Sequence, residues 1–242
     1  MFAVVNSLTS KLLHHIKSLG TFSRPFPEMA DMDQRLTVTG KVITLYDRLP
    51  ACGKPRDDEY TVLAAVVAEN GEATKTVVAL ATGTKCIGND CENRKGCLLS
   101  DSHGEILAKR SFSRYLGDWI VSLLEKPSRT EDTSCPLQWN AADSPARLSI
   151  KSSWKFHLYI SDCPCGDASI YASNLLSIDG INPTGAKLIP TTSTDGQATE
   201  NSDNLGSLRT KSGRSDIKAE NRTTSMSCSD KVCRWTFLGL QG

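Results

Sequence analysis

The 242-residue chain carries 28 basic and 27 acidic side chains, a formal charge of +1, so no global field selects a polyanionic partner. Its length suits one buried domain of about 150 to 200 residues with tails, not two large ones. No apolar run reaches the ~18 residues that would cross a bilayer, so no membrane-spanning helix is expected and no membrane partner.

Nine cysteines, an odd number without a close, even framework and with no secretory apolar core ahead of them, indicate a reducing, cytoplasmic or nuclear compartment. Reduced cysteines serve as small buried hydrophobes, reactive thiols or metal ligands. Only four histidines are available to partner them.

Residues 1–27 lack Asp and Glu, carry Lys11, Lys17 and Arg24, and set Leu8, Leu12, Leu13, Ile16 and Leu19 near one helical face. That pattern is a weak version of an organelle-targeting segment. Arginine is nearly absent, which favours an upstream extension or a floppy tail, with Met29 or Met32 expected as the true start. Residues 46–59 (YDRLPACGKPRDDE) have the Pro, Gly and charge content of a loop. Residues 1–59 therefore read as tail and linker, open to disorder.

Thr61–Ala68 and Lys75–Gly83 are short, β-branched apolar runs separated by a polar ENGEAT turn, an antiparallel hairpin. Ser102 and Glu105 have capping-box spacing, and Ile106, Tyr115, Leu116, Trp119, Ile120, Leu123 and Leu124 recur at helical intervals before Pro127. This predicts a helix from about Gly104 to Leu124. Trp154–Ser161 is a strand ended by Pro164 and Gly166, after which a helix can begin. Residues 173–222 are rich in Ser, Thr, Asn, Asp and Gly and predict long, mostly disordered loops. Val232, Trp235 and Leu238 then give a short helical stripe. Strand pair, helix, strand, helix points to an α/β sandwich around a mixed sheet.

His103-Gly104-Glu105 opens a helix, and Pro164-Cys165 stands between a strand and the next helix. Zinc-dependent nucleobase deaminases use H-x-E and P-C-x-x-C in such places, with His and two Cys on the metal and Glu left free to shuttle protons. Here Ala168 stands three residues after Cys165, so the second thiolate must come from elsewhere. Cys228, at the start of a predicted helix whose dipole favours a thiolate, is the preferred source. Cys163 competes, although neighbouring strand residues point to opposite faces. A Cys163-Pro-Cys165 redox pair would explain none of the other motifs. Read alone, Glu105 is equally a capping residue and His103 a loop histidine.

Several ordered segments are more specific: Thr82-Gly83-Thr84-Lys85-Cys86-Ile87-Gly88, Asp101-Ser102-His103-Gly104-Glu105, Lys109-Arg110-Ser111, Pro164-Cys165-Gly166-Asp167-Ala168, Thr184-Gly185-Ala186-Lys187, and Met226-Ser227-Cys228-Ser229-Asp230-Lys231 followed by Arg234-Trp235. From about Tyr60 to Gly242 the chain resembles the adenosine-deaminase domain of the adenosine-to-inosine RNA-editing family, closest to its tRNA-specific branch. The resemblance implies a cytidine-deaminase-like fold, a mixed sheet flanked by helices. It implies zinc on His103, Cys165 and Cys228, Glu105 as proton shuttle, and hydrolytic deamination of adenosine in tRNA, next to the anticodon of alanine tRNA. It also implies inositol hexakisphosphate bound by Lys109, Arg110, Lys231, Arg234 and Trp235, with Asp101, Lys211 and Ser225 linking that polyanion to the zinc.

Thr84, Lys85 and Lys211 are the expected tRNA contacts, and Arg209, Arg214, Lys218 and Arg222 supply further backbone attraction. No obligatory protein partner is inferred. The chain departs from the family at Gly104, where alanine is usual, and in having no double-stranded-RNA-binding domain ahead of the deaminase segment. Relatives continue past the position of Gly242, so the expectation is a chain lacking the C-terminal part of its domain, with Trp235, Phe237 and Leu238 uncovered. The alternative expectation is a catalytically inactive zinc- or RNA-binding fragment.

Overall fold

The computed structural model describes residues 2–6, 29–88, 97–140, 145, 147–169, 186–188, 208–211, 218 and 221–240. It resolves into two compact units, the first containing Met1–Thr82 and Leu107–Asp162, the second Gly83–Ile106 and Cys163–Gly242. The elements in chain order are β1 (Phe2–Asn6), α1 (Met29–Arg48), β2 (Leu63–Glu69), β3 (Lys75–Thr82), β4 (Thr84–Cys86), β5 (Asp101–His103), α2 (Gly104–Glu125), a 3-10 turn (Pro127–Glu131), β6 (Leu137–Asn140), β7 (Arg147–Ile150), β8 (Lys155–Ile160), β9 (Ala186–Leu188), β10 (Arg209–Lys211) and α3 (Cys228–Leu238).

The first unit is built on a four-stranded mixed sheet in the order β1-β8-β2-β3, with β1 parallel to β8 and the other pairs antiparallel. Every residue of β2 is buried, as an unbroken apolar run demands when both sheet faces are covered. On one face Leu63, Ala65, Val67 and Tyr159 pack with Val38 and Val42 of α1. On the other, Phe156 of β8, opposite Ala68 in the register, meets Phe112 of α2 with ring centroids 4.8 Å apart. The result is helix, sheet, helix, the α/β arrangement expected. A smaller cluster joins Leu116, Trp119 and Leu123 of α2 to Cys135, Leu137 and Leu148 around the β6–β7 hairpin.

At the end of β2 the buried Glu69 carboxylate accepts from His157 Nε2 at 3.0 Å and lies 3.2 Å from Lys75 Nζ. Burial pushes its pKa up, but the bonds from Lys75 and His157 outweigh that and hold it below the ordinary value.

Two regular elements fall within the stretch read as tail and linker, and correct that reading. β1 adds an edge to the sheet and α1 covers one of its faces. The helix escaped notice because Val38, Thr39, Gly40, Val42, Ile43 and Thr44 are poor helix formers and only Val38 and Val42, four apart, supply its deepest contacts. Residues 49–62 form no helix or strand, in keeping with their loop composition. Most of the expected loop at 173–222, and Arg214 with it, lies outside the described residues.

The second unit is assembled from short pieces. β4 pairs with β5, β9 with β10, and the stretch before α3 runs along β10 through Lys211 N–H to Ser225 O and Ser227 N–H to Arg209 O, both 2.8 Å. No described helix is long and apolar enough to cross a membrane.

Candidate metal centre

Three segments deliver side chains to one place in the second unit. β5 ends on His103 and runs straight into α2, so Glu105 stands in the first helical turn. The cap reading of Ser102 is thereby corrected: it is a strand residue paired with Lys85, and the helix begins one residue beyond His103.

Cys228 opens α3 behind the buried N-cap Ser227, whose hydroxyl accepts from Asp230 N–H at 3.1 Å and donates to Asp230 Oδ2 at 2.6 Å. The Pro164–Gly166 turn is laid against this helix start. Ser229 N–H donates to Cys165 O at 3.0 Å, and Ser229 Oγ reaches Pro164 O at 3.1 Å. Gly166 has φ +105°, and a methyl there would overlap the Ser227 hydroxyl and sit 2.8 Å from Ser227 Cβ. Only glycine permits this approach. Arg209, buried on β10, ties the same loop down through an ion pair with Asp167.

The ligand atoms of His103, Cys165 and Cys228 all lie within 4.8 Å of one another. His103 Nδ1 is 3.5 Å from Cys228 Sγ and 4.0 Å from Cys165 Sγ. Cys228 N–H donates to Cys165 Sγ at 3.3 Å. Hydrogen bonding from Cys228, and from His103 and the Cys228 amide, draws the Cys165 thiol down to about 4, whereas burial pushes Cys228 up and Glu105 adds to that through its charge. Two sulfurs and one imidazole nitrogen this close, in a donor set typical of zinc, fit a dication well. Glu105 is buried, and among the described residues its Oε2 has no hydrogen-bond partner. An orphaned carboxylate oxygen costs roughly 1–3 kcal/mol, more for a charge, unless something else completes the site. Cys163, half-buried, belongs to neither metal-capable group among the described residues.

Behind the sulfurs lies a cage around Asp101. Its Oδ1 accepts from Lys211 Nζ at 2.9 Å, His103 N–H at 3.1 Å and the Cys86 thiol at 3.4 Å. Its Oδ2 accepts from Lys231 Nζ at 2.5 Å and Ser225 Oγ at 2.9 Å. Burial alone would raise this carboxyl, yet the Lys231 and Lys211 bonds hold it well below the usual carboxylate range. Lys211 Nζ also donates to Cys228 Sγ at 2.9 Å. Burial pushes the Cys86 thiol up to about 12, so it stays a protonated donor. Sequence reasoning missed Cys86 and Gly166, although both stand inside segments it singled out.

The other expected site residues are more scattered. Lys211 is 3% exposed and spent on Asp101 and Cys228, a geometry that ties it to the sulfur and not to a surface contact. Thr84 pairs with His103 across β4 and β5 and shares its face, whereas exposed Lys85 faces the opposite side. On α3, Lys231 turns to Asp101 while Arg234 is exposed and Trp235 half-buried. Phe237 and Leu238 are exposed. On α2, in the first unit, Lys109 is half-buried and Arg110 exposed.

Comparison with known proteins gives this geometry a family. The chain is 36% identical over 209 residues to tRNA-specific adenosine deaminase 1 of Drosophila melanogaster, covering 81% of this chain and 47% of that protein. It is 34% identical to tRNA-specific adenosine deaminase 1 of Schizosaccharomyces pombe, covering 82% and 50%. It is 32% identical to the double-stranded RNA-specific adenosine deaminase of Mus musculus, covering 75% and 16%. The chain thus spans about half the length of these two tRNA-specific relatives. Residues 79–242, which include every member of the His103, Cys165 and Cys228 cluster and its Asp101 cage, match the adenosine-deaminase (editase) domain, and the chain belongs to that family.

Proposed function

We propose that this chain carries the zinc-dependent catalytic site of a tRNA adenosine deaminase, converting adenosine to inosine by hydrolysis. The observation that carries the reading is the convergence of His103, Cys165 and Cys228 beside a helix start where buried Glu105 keeps an unpartnered oxygen. The tRNA-specific relatives support the substrate class, and the sequence resemblance supports the adenosine next to the anticodon of alanine tRNA.

His103, Cys165 and Cys228 would hold the zinc. When bound there, zinc supplies a polarised water whose pKa falls towards neutrality. Glu105 takes one proton of the attacking water and gives it to purine N1 as the C6–O bond forms. It then takes the proton of the new C6 hydroxyl and gives it to the amino group, which leaves as ammonia as the C6–N6 bond breaks and the C6 carbonyl of inosine forms. Lys211 donates to the Cys228 sulfur and ties it to Asp101, and Asp101 fixes the backbone of His103. This makes Lys211 a positioning residue and leaves Thr84 and Lys85 as the substrate contacts of the set. Thr84, on the His103 face, borders the reacting base, while Lys85 meets the phosphate backbone. An anticodon loop already presents unstacked bases, so extrusion into the pocket costs less than flipping from a duplex. Inositol hexakisphosphate remains part of the proposal by resemblance, with Lys231 as the link from a polyanion to Asp101.

The test is metal content and inosine formation on the same preparations. Alanine at His103, Cys165 or Cys228 should each remove the zinc, and wild type should form inosine in alanine tRNA. Zinc retained by Cys228→Ala would overturn the ligand set. Zinc bound without any turnover would leave a zinc- or RNA-binding domain instead of an enzyme.

A further inference from the structure

A second donor group overlaps the first. The Cys86 sulfur, an Asp101 oxygen and a His103 ring nitrogen also lie within 4.8 Å of one another, so two triangles of soft and borderline ligands share one imidazole. Such a pair could draw a metal to the wrong side of His103 or hold a second cation on Cys86 and Asp101 beside it. The structure shows what stands in the way. Asp101 Oδ1, which takes the Cys86 thiol at 3.4 Å, is engaged by the Lys211 ammonium at 2.9 Å, and the same ammonium lies 2.9 Å from Cys228 Sγ.

We propose that the Lys211 ammonium is a resident cation that closes the Cys86–Asp101–His103 triangle and confines a bound metal to His103, Cys165 and Cys228. The inference rests on the zinc reading above and adds to it a specificity role for Lys211 and a latent soft-metal site at Cys86. Charge is the argument. With zinc bound, the thiolates of Cys165 and Cys228 and the carboxylates of Glu105 and Asp101 face the ammonium groups of Lys211 and Lys231 and one dication. Those charges balance, and the Cys86 thiol keeps its proton. A second dication would meet no uncompensated anion and would have to displace a buried ammonium from both of its partners. Without Lys211 one negative charge is left over, and loss of the Cys86 proton on metal binding supplies another. A second dication is then matched in charge and offered sulfur and carboxylate donors beside His103, whose single lone pair stays on the first metal.

Cobalt(II) titration of the 242-residue chain tests this, because sulfur-to-cobalt charge-transfer absorbance reports the number of thiolates on the metal. Wild type should bind about one cobalt with two thiolates. Lys211→Met should raise the stoichiometry to about two and add a third thiolate, while Lys211→Arg, which keeps the charge, should stay at one. The added metal and thiolate should vanish in Lys211→Met combined with Cys86→Ser. Lys211→Gln, which keeps an amide donor for Asp101, repeats the measurement if the methionine variant does not fold. One cobalt with two thiolates in a folded neutral variant overturns the proposal, as does an added metal that survives Cys86→Ser. Wild type binding no cobalt at all would overturn the underlying zinc reading, a result distinguishable from the others.

Discussion

Glu105 and Asp101 are both buried carboxylates in the second unit, yet their surroundings differ completely. Asp101 is surrounded by five donors, from Lys211, His103, Cys86, Lys231 and Ser225, whereas Glu105 has an oxygen with no partner. A saturated carboxylate is fixed in place, and an unsaturated one is free to take a proton. Glu105→Gln keeps the shape and removes the base, so it should leave zinc content and thermal midpoint near wild type while cutting inosine formation by at least about a hundredfold. Single-turnover assays with metal analysis of the same sample check this; turnover within tenfold of wild type would reduce Glu105 to a first-turn residue. At this scale the sequence was legible where a residue's place in an element decides its role. Cys228 could be preferred to Cys163 because helix starts and strand alternation are visible in the order of residues. Lys211 carries two readings in the sequence, a tRNA contact and, by resemblance, a link between Asp101 and the zinc. Its burial and its bonds to Asp101 and Cys228 favour the second, which composition alone could not show because a lysine in a polar stretch reads as a surface cation.

The elements around the site are short, so loops and helix ends do the positioning. The Cys165 turn and the start of α3 are held together by Ser229 bonds to Pro164 and Cys165 and by the absence of a side chain at Gly166. An alanine at Gly166 faces both an unfavourable positive φ and overlap with Ser227, itself fully buried and committed to capping α3. Gly166→Ala should therefore cost about 2–3 kcal/mol and weaken zinc binding by about tenfold or more through displacement of Cys165 from Cys228. Chelator competition and thermal melts would measure both; wild-type zinc affinity in the alanine variant would show that the turn and the helix start are independent. The glycine's purpose could not be read from the chain, since its clash partner lies some sixty residues downstream. The contrast between α1 and α2 has the same origin. α2 declares itself by its periodic apolar positions, while α1 contains Gly40 and a β-branched run and is helical because Val38 and Val42 find the sheet.

Across the whole molecule the charge is nearly balanced, and among the described residues buried ionic cages form around Glu69 in the first unit and Asp101 in the second. The mixed sheet, its hairpin and α2 could be anticipated from apolar patterning, but such cages could not, because Glu69, Lys75 and His157 are ordinary strand-end residues until β2, β3 and β8 are aligned. Glu69 and Lys75 side chains are only 7% and 8% exposed, so removing one leaves the other as a buried, uncompensated charge. At neutral pH Glu69→Gln should destabilise the protein by about 3 kcal/mol. Its pH dependence follows from the direction of the shift. The folded carboxyl sits below its ordinary value of 4.5, held there by Lys75 and His157 against the opposing effect of burial. The ionised state therefore contributes fully above that ordinary value, and the contribution fades as pH falls through the lower, folded value. Thermal midpoints of wild type and Glu69→Gln, measured from pH 7 down to about pH 3, should stay separated by a constant gap until near pH 4.5 and then converge. A gap that persists unchanged into acid would mean that the variant loses packing instead of charge pairing, and that the cage contributes shape alone.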